Sequence, residues 1–189
     1  MTSIVHRVTC IVYRDMRVLE KVERRLGEKL FLKGERCIGP KCAAIRRGYP
    51  PGVHGKSRKK KRAGSEYDQL LREKQKVRFL YGLDDKEIAR YSNKAAGHTG
   101  LFGSEFIRLV ETRLDNAIFR LGFAESRRSA RMMVSHGHIT VNGKIVTIPS
   151  YRVKKSEEIT IKEASLASPL FTELDLRLKK IEAPPWLNL

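Results

Sequence analysis

Arg113-Leu-Asp-Asn-Ala-Ile-Phe-Arg-Leu-Gly122 continues as Phe-Ala-Glu-Ser126-Arg127-Arg128-Ser-Ala-Arg131-Met-Met-Val-Ser-His136-Gly137-His138-Ile-Thr-Val-Asn142-Gly143-Lys144. The run reads as helix, loop, helix and tight hairpin. From Phe106 the apolar residues Val110, Leu114, Ala117, Ile118 and Leu121 recur at helical spacing and make one buried stripe. Gly122 ends that helix, because glycine takes the left-handed C′ conformation without steric cost. Ser126 is a natural N-cap for a second helix, Arg127 to about Ser135, and Gly137 stops it. Ile139-Thr-Val141 then reads as a strand that turns at Asn142-Gly143, a strong hairpin signal, and returns as Lys144-Ile-Val146.

The chemistry of the stretch lies at the start of the second helix. Ser126, Arg127 and Arg128 place a hydroxyl, backbone N–H groups and two guanidinium forks where the helix dipole is positive. That is a ready anion site, and arginine favours bidentate phosphate contacts. Arg131 extends the patch one turn further along the same face. A solvated basic helix has the same composition, so these residues alone do not decide. The whole stretch closely resembles the RNA-binding module of the small-subunit ribosomal protein four family. The resemblance implies RNA phosphates at Ser126, Arg127, Arg128 and Arg131, with the Gly137-to-Gly143 strand beside them. It extends the implied RNA contacts to Arg113, His136, His138, Asn142, Lys144 and Arg152.

Composition points the same way independently. The 189 residues carry a net charge of +18 and a pI near 10.1, a balance that draws polyanions, most commonly nucleic acid. The charge is uneven: residues 101–189 hold 14 Lys/Arg against 10 Asp/Glu, whereas residues 1–100 hold 25 against 11. Much of the electrostatic attraction must therefore come from upstream of the module. No apolar run approaches the roughly 18 residues of a membrane span, and no secretory signal is visible. Three unevenly spaced cysteines do not read as a disulfide framework, and a reduced intracellular compartment fits best.

Residues 1–23 diverge from the family and read as a lineage-specific extension or a misplaced start; Met16, Leu19, Val22 and Leu26 have roughly helical spacing. From Arg24 the resemblance begins, through a loop-like stretch with Gly34, Gly39 and Pro40. Cys37 and Cys42 have plausible spacing for half of a zinc site. Many relatives supply a second pair upstream as Cys-x-x-Cys, and here the equivalent positions are Glu20 and Glu23. His54 is the one further candidate ligand. Buried thiols without a metal are the favoured reading, and no cofactor is expected.

Arg46-Arg47-Gly-Tyr49-Pro-Pro-Gly-Val-His54-Gly-Lys56 excludes helix and strand interiors and reads as an extended loop open to a partner. Tyr49 is placed to stack on a base or to pack on Pro50, and His54 to reach a phosphate. A closely similar segment in the family lies against rRNA. Lys56, Arg58, Lys59, Lys60, Lys61 and Arg62 form a run that repels itself, either an arm ordered by RNA or a localisation signal. Ser65 caps a helix from Glu66 to about Tyr81 that carries Arg72, Lys74 and Lys76, with the family segment Leu71 to Lys76 inside it. Gly82 closes it. Asp84 and Glu87 resemble a capping box opening a further helix, about Asp85 to Ala96, ended by Gly97. His98 to Gly103 is a linker. After the hairpin, Ile148 to Val153 and Glu158 to Ile161 read as two more strands. Ser168-Pro169 begins a last helix with Leu170, Leu174, Leu178 and Ile181 on one face. Relatives usually continue past the Trp186-Leu pair, so a shortened protein or an incomplete sequence is expected.

The reading is α+β: a small helical first domain with a basic extended arm, then an RNA-binding module of helices packed on a small, mainly antiparallel sheet. The expected segments are 1–23, an extension; 24–64, loop and arm; 65–103, helical domain; 104–163, RNA-binding module; and 164–189, terminal helix and tail. A pseudouridine synthase built on this module would need a separate catalytic domain, and no remaining segment is long enough. A stalled-ribosome binder would not need Cys37 to Ala96. His136 and His138 lack a nearby nucleophile and, two residues apart in a turn-to-strand segment, are expected on different faces. The resemblance thus implies a structural protein of the small ribosomal subunit and not an enzyme. It would bind the five-prime domain of small-subunit rRNA during assembly, holding a folded junction by shape and phosphate geometry. It would lie near the mRNA entrance beside the third and fifth small-subunit proteins and influence decoding accuracy. It would act in the cytoplasm, in a bacterium rather than a plastid, with neither membrane nor small-molecule substrate.

Overall fold

The computed structural model describes residues 19–56, 64–172, 174–179 and 184–187. Most of the expected 1–23 extension, the arm residues Arg58, Lys59, Lys60, Lys61 and Arg62, and Ile181 lie outside them. Two compact units divide between Leu80 and Tyr81.

In the first unit, α1 (residues 19–26) ends at Gly27, whose φ of 79° is open to glycine without penalty. The stretch read as loop carries more structure than its glycines suggested: a 3-10 turn Gly34–Cys37, α2 (Ala43–Arg46) and a second 3-10 turn Val53–Lys56. Val22, Glu23, Cys37 and Cys42 are buried there. The long helix α3 (Glu66–Tyr81) starts where the sequence places it. Ser65 Oγ accepts the Asp68 N–H at 3.3 Å, and the Asp68 carboxylate accepts the Ser65 N–H in return.

The second unit opens at a left-handed Gly82 and a complete capping box, in which the Asp84 N–H donates to Glu87 Oε2 at 3.0 Å. This starts α4 (Asp85–Ala96), which packs on α5 (Phe102–Glu111). Leu83, Ile88, Tyr91, Ala95, Leu109 and Val110 form the cluster between them. A second cluster gathers Leu114 and Ile118 of α6 (Leu114–Arg120), Ala130, Met133 and Val134 of α7 (Arg127–Ser135), and the sheet residues Ile139 and Val141. The sheet has the order β2-β1-β3, with β1 (Ile139–Val141) antiparallel to both β2 (Lys144–Ile145) and β3 (Ile159–Ile161). Its turn residues Asn142 and Gly143 have φ of 49° and 75°, the two positive values a type I′ hairpin requires. Short helices α8 (Glu163–Leu166) and α9 (Leu174–Leu178) follow. The class is α+β, as the sequence implied.

Three expectations are corrected. The apolar stripe from Phe106 to Leu121 is not one helix, because the backbone breaks at Thr112–Arg113 between α5 and α6. The cause is tertiary. The N–H groups of Leu114 and Asp115 donate to the carbonyls of Tyr151 at 2.8 Å and Pro149 at 3.2 Å, and Val153 N–H donates to Thr112. Ile148 to Val153 is consequently no ladder strand; it satisfies the start of α6 and makes a single bridge, Arg113 to Arg152. The expected last helix is also split, into a 3-10 turn Pro169–Phe171 and α9.

The break turns Arg113 inward at 1% exposure, with the second unit's two clusters packed along the helices on either side of it. Its guanidinium donates to both Asp115 oxygens at 3.1 and 2.8 Å, to Glu87 Oε1 at 3.1 Å and to the Tyr91 hydroxyl at 3.0 Å. Burial opposes its charge, but the Asp115 hydrogen bonds and attraction hold it ionised above its ordinary range. Arg113, one of the expected RNA contacts, thus lies inside the fold with its donors on Asp115, Glu87 and Tyr91. Removing one partner of such a group strands the others. Arg113→Ala is expected to lose about 3–5 kcal/mol in denaturant unfolding of the full chain, the cost of breaking a buried ion pair.

Candidate nucleic-acid interface

Sequence rules position the start of α7. Gly122 has φ 82°, closing α6, and Ser126 Oγ accepts the Ser129 N–H at 3.2 Å as the N-cap. Arg127 is then set differently from its neighbours. Its Cζ lies 4.9 Å from the Tyr81 ring centroid and 4.5 Å from that of Phe119, a sandwich between two aromatic faces. Its Nε donates to Asn116 Oδ1 at 2.7 Å. Half-buried there, the guanidinium is pushed below its ordinary pKa by desolvation and by nearby Arg120.

Behind it stands Glu111, at the end of α5. Its carboxylate accepts from Arg120 at 2.7 and 3.1 Å, from the Tyr81 hydroxyl at 2.9 Å, and from Asn116 Nδ2. Burial would raise this carboxyl, but the hydrogen bonds from Arg120 and Tyr81 outweigh it and hold the group below the usual carboxylate range. Tyr81 is pushed up to about 12, first by burial and then by the charge of Glu111. Glu111 thus orients Asn116, which orients Arg127. Glu111, Asn116, Tyr81, Phe119 and Arg120 were not singled out in the sequence. The helix break that gathers them has no local signal.

Around this core the other cations differ in exposure. Arg131 is exposed and donates through Nη1 to the Gly82 carbonyl at 2.9 Å, Arg128 is half-buried, and Lys144 and Arg152 are exposed. Asn142 is exposed, but its side chain is used within the fold, where Oδ1 accepts the Glu158 N–H at 2.9 Å and ties the hairpin to β3. His136 and His138, expected on different faces, are brought together on either side of a left-handed Gly137 at φ 73°. Their rings stack at 6.1 Å, and His138 Nδ1 lies 3.0 Å from Ser165 Oγ. Burial and the adjacent His136 push His138 below its ordinary pKa.

The first unit holds a patch of its own. Arg46, Arg47, His54 and Lys56 are exposed. Tyr49 is half-buried between cations, with Arg24 Cζ 5.0 Å and Lys56 Nζ 5.4 Å from its ring centroid. Arg24 Nε also donates to the carbonyls of Arg47 at 2.9 Å and Tyr49 at 3.1 Å, which staples this loop to α1. A Cβ at Gly55 would meet the Pro50 carbonyl oxygen at 1.9 Å, so the loop closes only around glycine. On α3, Arg72 and Lys74 are exposed, while Lys76 Nζ is held by Glu28 and Glu73.

The chain matches two family models: "Ribosomal protein S4/S9 N-terminal domain" over residues 18–111 and "S4 domain" over residues 112–159. Among curated relatives it is 49% identical over 166 residues to small ribosomal subunit protein uS4 of Thermus thermophilus, covering 88% of this chain and 78% of that one. It is 50% identical, with the same coverage, to uS4 of Desulfitobacterium hafniense. It is also 50% identical over 165 residues to uS4 of Pelotomaculum thermopropionicum, covering 87% of this chain and 78% of that one.

Two outcomes separate a clamped side chain from an exposed one. Arg127→Ala is expected to lower stability, by about 1–2 kcal/mol for the lost cation–π and hydrogen bonds, whereas Lys144→Ala changes stability by less than about 0.5 kcal/mol; chemical denaturation checks both. Because Glu111 has a depressed folded pKa, its contribution is complete above the unfolded value of about 4.3 and is lost as pH falls through the folded value. Glu111→Gln should flatten that acid limb in melts recorded from about pH 7 down to about pH 3.

Proposed function

The chain belongs to the small ribosomal subunit protein uS4 family, and from that premise we propose that it is a primary binder of the five-prime domain of small-subunit rRNA. As a member it is a structural constituent of the small ribosomal subunit and not an enzyme. The RNA surface we propose joins the start of α7, with Ser126, Arg127, Arg128 and Arg131, to the hairpin at His136, His138 and Lys144 and to Arg152. In the first unit it takes Arg46, Arg47, Tyr49, His54 and Lys56, the arm from Arg58 to Arg62, and Arg72, Lys74 and Lys76 of α3. Bound there during assembly, the protein would sit near the mRNA entrance beside the third and fifth small-subunit proteins. It would influence accuracy from that position in cytoplasmic bacterial ribosomes.

The observation that carries the proposal is Arg127, a cation held between Tyr81 and Phe119 by Asn116 at the mouth of a capped helix. A fixed guanidinium recognises phosphate geometry at low entropic cost. The exposed cations around it supply attraction that is indifferent to sequence and sensitive to salt. RNA junctions are bound by this combination of shape and phosphate contacts.

The test is binding of the full chain to a five-prime-domain rRNA fragment and to an unrelated structured RNA across a salt series. The fragment is expected to be preferred by more than about a hundredfold. Arg127→Ala with Arg128→Ala should cost roughly 1–3 kcal/mol per contact on the fragment, and the paired controls Arg46→Ala with Arg47→Ala mainly reduce the salt slope. Equal binding of both RNAs would refute the proposal.

A further inference from the structure

Glu23, Cys37 and Cys42 bring a carboxylate and two thiols within 4.8 Å of one another, all buried. This is where relatives with a second Cys-x-x-Cys pair have the makings of a four-thiolate zinc knuckle; here the pair is Glu20 and Glu23. Structural zinc takes four ligands. Among the described residues the fourth would have to be Glu20, and its carboxylate is drawn elsewhere, onto Lys33 Nζ at 2.9 Å and Arg36 Nε at 3.3 Å. His54, the other candidate ligand, is exposed and outside the cluster. The donor set among the described residues does not fit a structural zinc.

What the acceptors have instead comes from two adjacent residues. Glu23 Oε1 accepts the Leu32 N–H at 3.0 Å, and Cys37 Sγ accepts the Lys33 N–H at 3.3 Å. The Lys33 side chain, only 9% exposed, carries its ammonium to Glu20. Leu32 and Lys33 thus tie both carboxylates of α1 and the cysteine turn together. A buried carboxylate needs a hydrogen bond or an opposite charge, and here it has one without any ion.

We propose that residues 20–42 form a metal-independent knuckle, in which the Lys33 ammonium and the amides of Leu32 and Lys33 take the place of a divalent ion. The juxtaposition of Glu20, Glu23, Lys33, Cys37 and Cys42 carries it, and it stands apart from any reading of RNA contacts. The test uses the purified full chain, with metal content measured by mass spectrometry and thermal melts recorded with and without a strong chelator. Expected are less than about a tenth of an equivalent of zinc and an unchanged Tm on chelation. Lys33→Met should lower Tm by about 4–8 °C, and Lys33→Arg should retain most of it. Stoichiometric zinc, a chelator-induced fall in Tm, or an unaltered Tm in Lys33→Met would each overturn the proposal. Should Lys33→Met fail to fold, the chelation melt and Lys33→Arg still decide.

Discussion

The buried guanidinium of Arg113 is the constraint on which the second unit depends. A charge at that depth persists only when its donors are satisfied, and four of its hydrogen bonds come from Asp115, Glu87 and Tyr91. Those partners come from α4 and from the first turn of α6, so the side chain must enter between them. It can do so only if α5 and α6 are separate helices. Separation in turn exposes the first N–H groups of α6, and the carbonyls of Pro149 and Tyr151 take them up. The ion pairs of Arg113 with Asp115 and Glu87 and the docked carbonyls of Pro149 and Tyr151 together accompany the helix break, and residues 148–153 are used there and not in the sheet.

The break has a further structural consequence at its other end. With α5 stopping at Glu111, that carboxylate reaches Arg120, Tyr81 and Asn116 together. In a continuous helix, Glu111 and Arg120 would lie nine residues apart, far beyond the three or four at which side chains on one face meet. Two charged residues are thus committed to holding a third in position. Arg127 arrives at the surface already oriented, with part of its desolvation met within the fold.

Local rules were readable from the sequence, and those that needed distant partners were not. The caps at Ser65, Asp84 and Ser126, the closures at Gly82 and Gly122, and the Asn142-Gly143 turn each depend on residues within four positions, and each stands where the sequence puts it. Apolar periodicity recovered which residues of 106–121 are buried but not that the backbone between them bends, since burial on either side of the break continues the same pattern. The expectation that His136 and His138 lie on different faces misapplied the strand period, since i and i+2 share a face of an extended segment, and their rings stack. Within the candidate surface, Arg113, Arg127 and Arg131 are the same residue type only a few turns apart. One is buried, one is clamped and one is exposed, and beside the nearby Asp115 the difference lies in Glu87 and Tyr91 around Arg113 and in Tyr81 and Asn116 around Arg127, which are remote from them in sequence.

If the proposed function holds, that sorting bears on how a chain of net charge +18 would select one RNA. Exposed cations attract any polyanion, and each one that engages a phosphate releases counterions without regard to which RNA provides it. Selectivity for a folded junction needs cations whose directions are set before the RNA arrives, so that only a matching arrangement of phosphates meets them all. Acidic residues are what set those directions here. Glu111 subtracts from net charge and from nonspecific attraction, yet by fixing Asn116 and Arg127 it converts one positive charge from a diffuse attractor into a positioned donor. Under the proposed function, the less basic half of the chain would accordingly be the better positioned recognition element among the described residues, and the more basic half would supply the long-range pull.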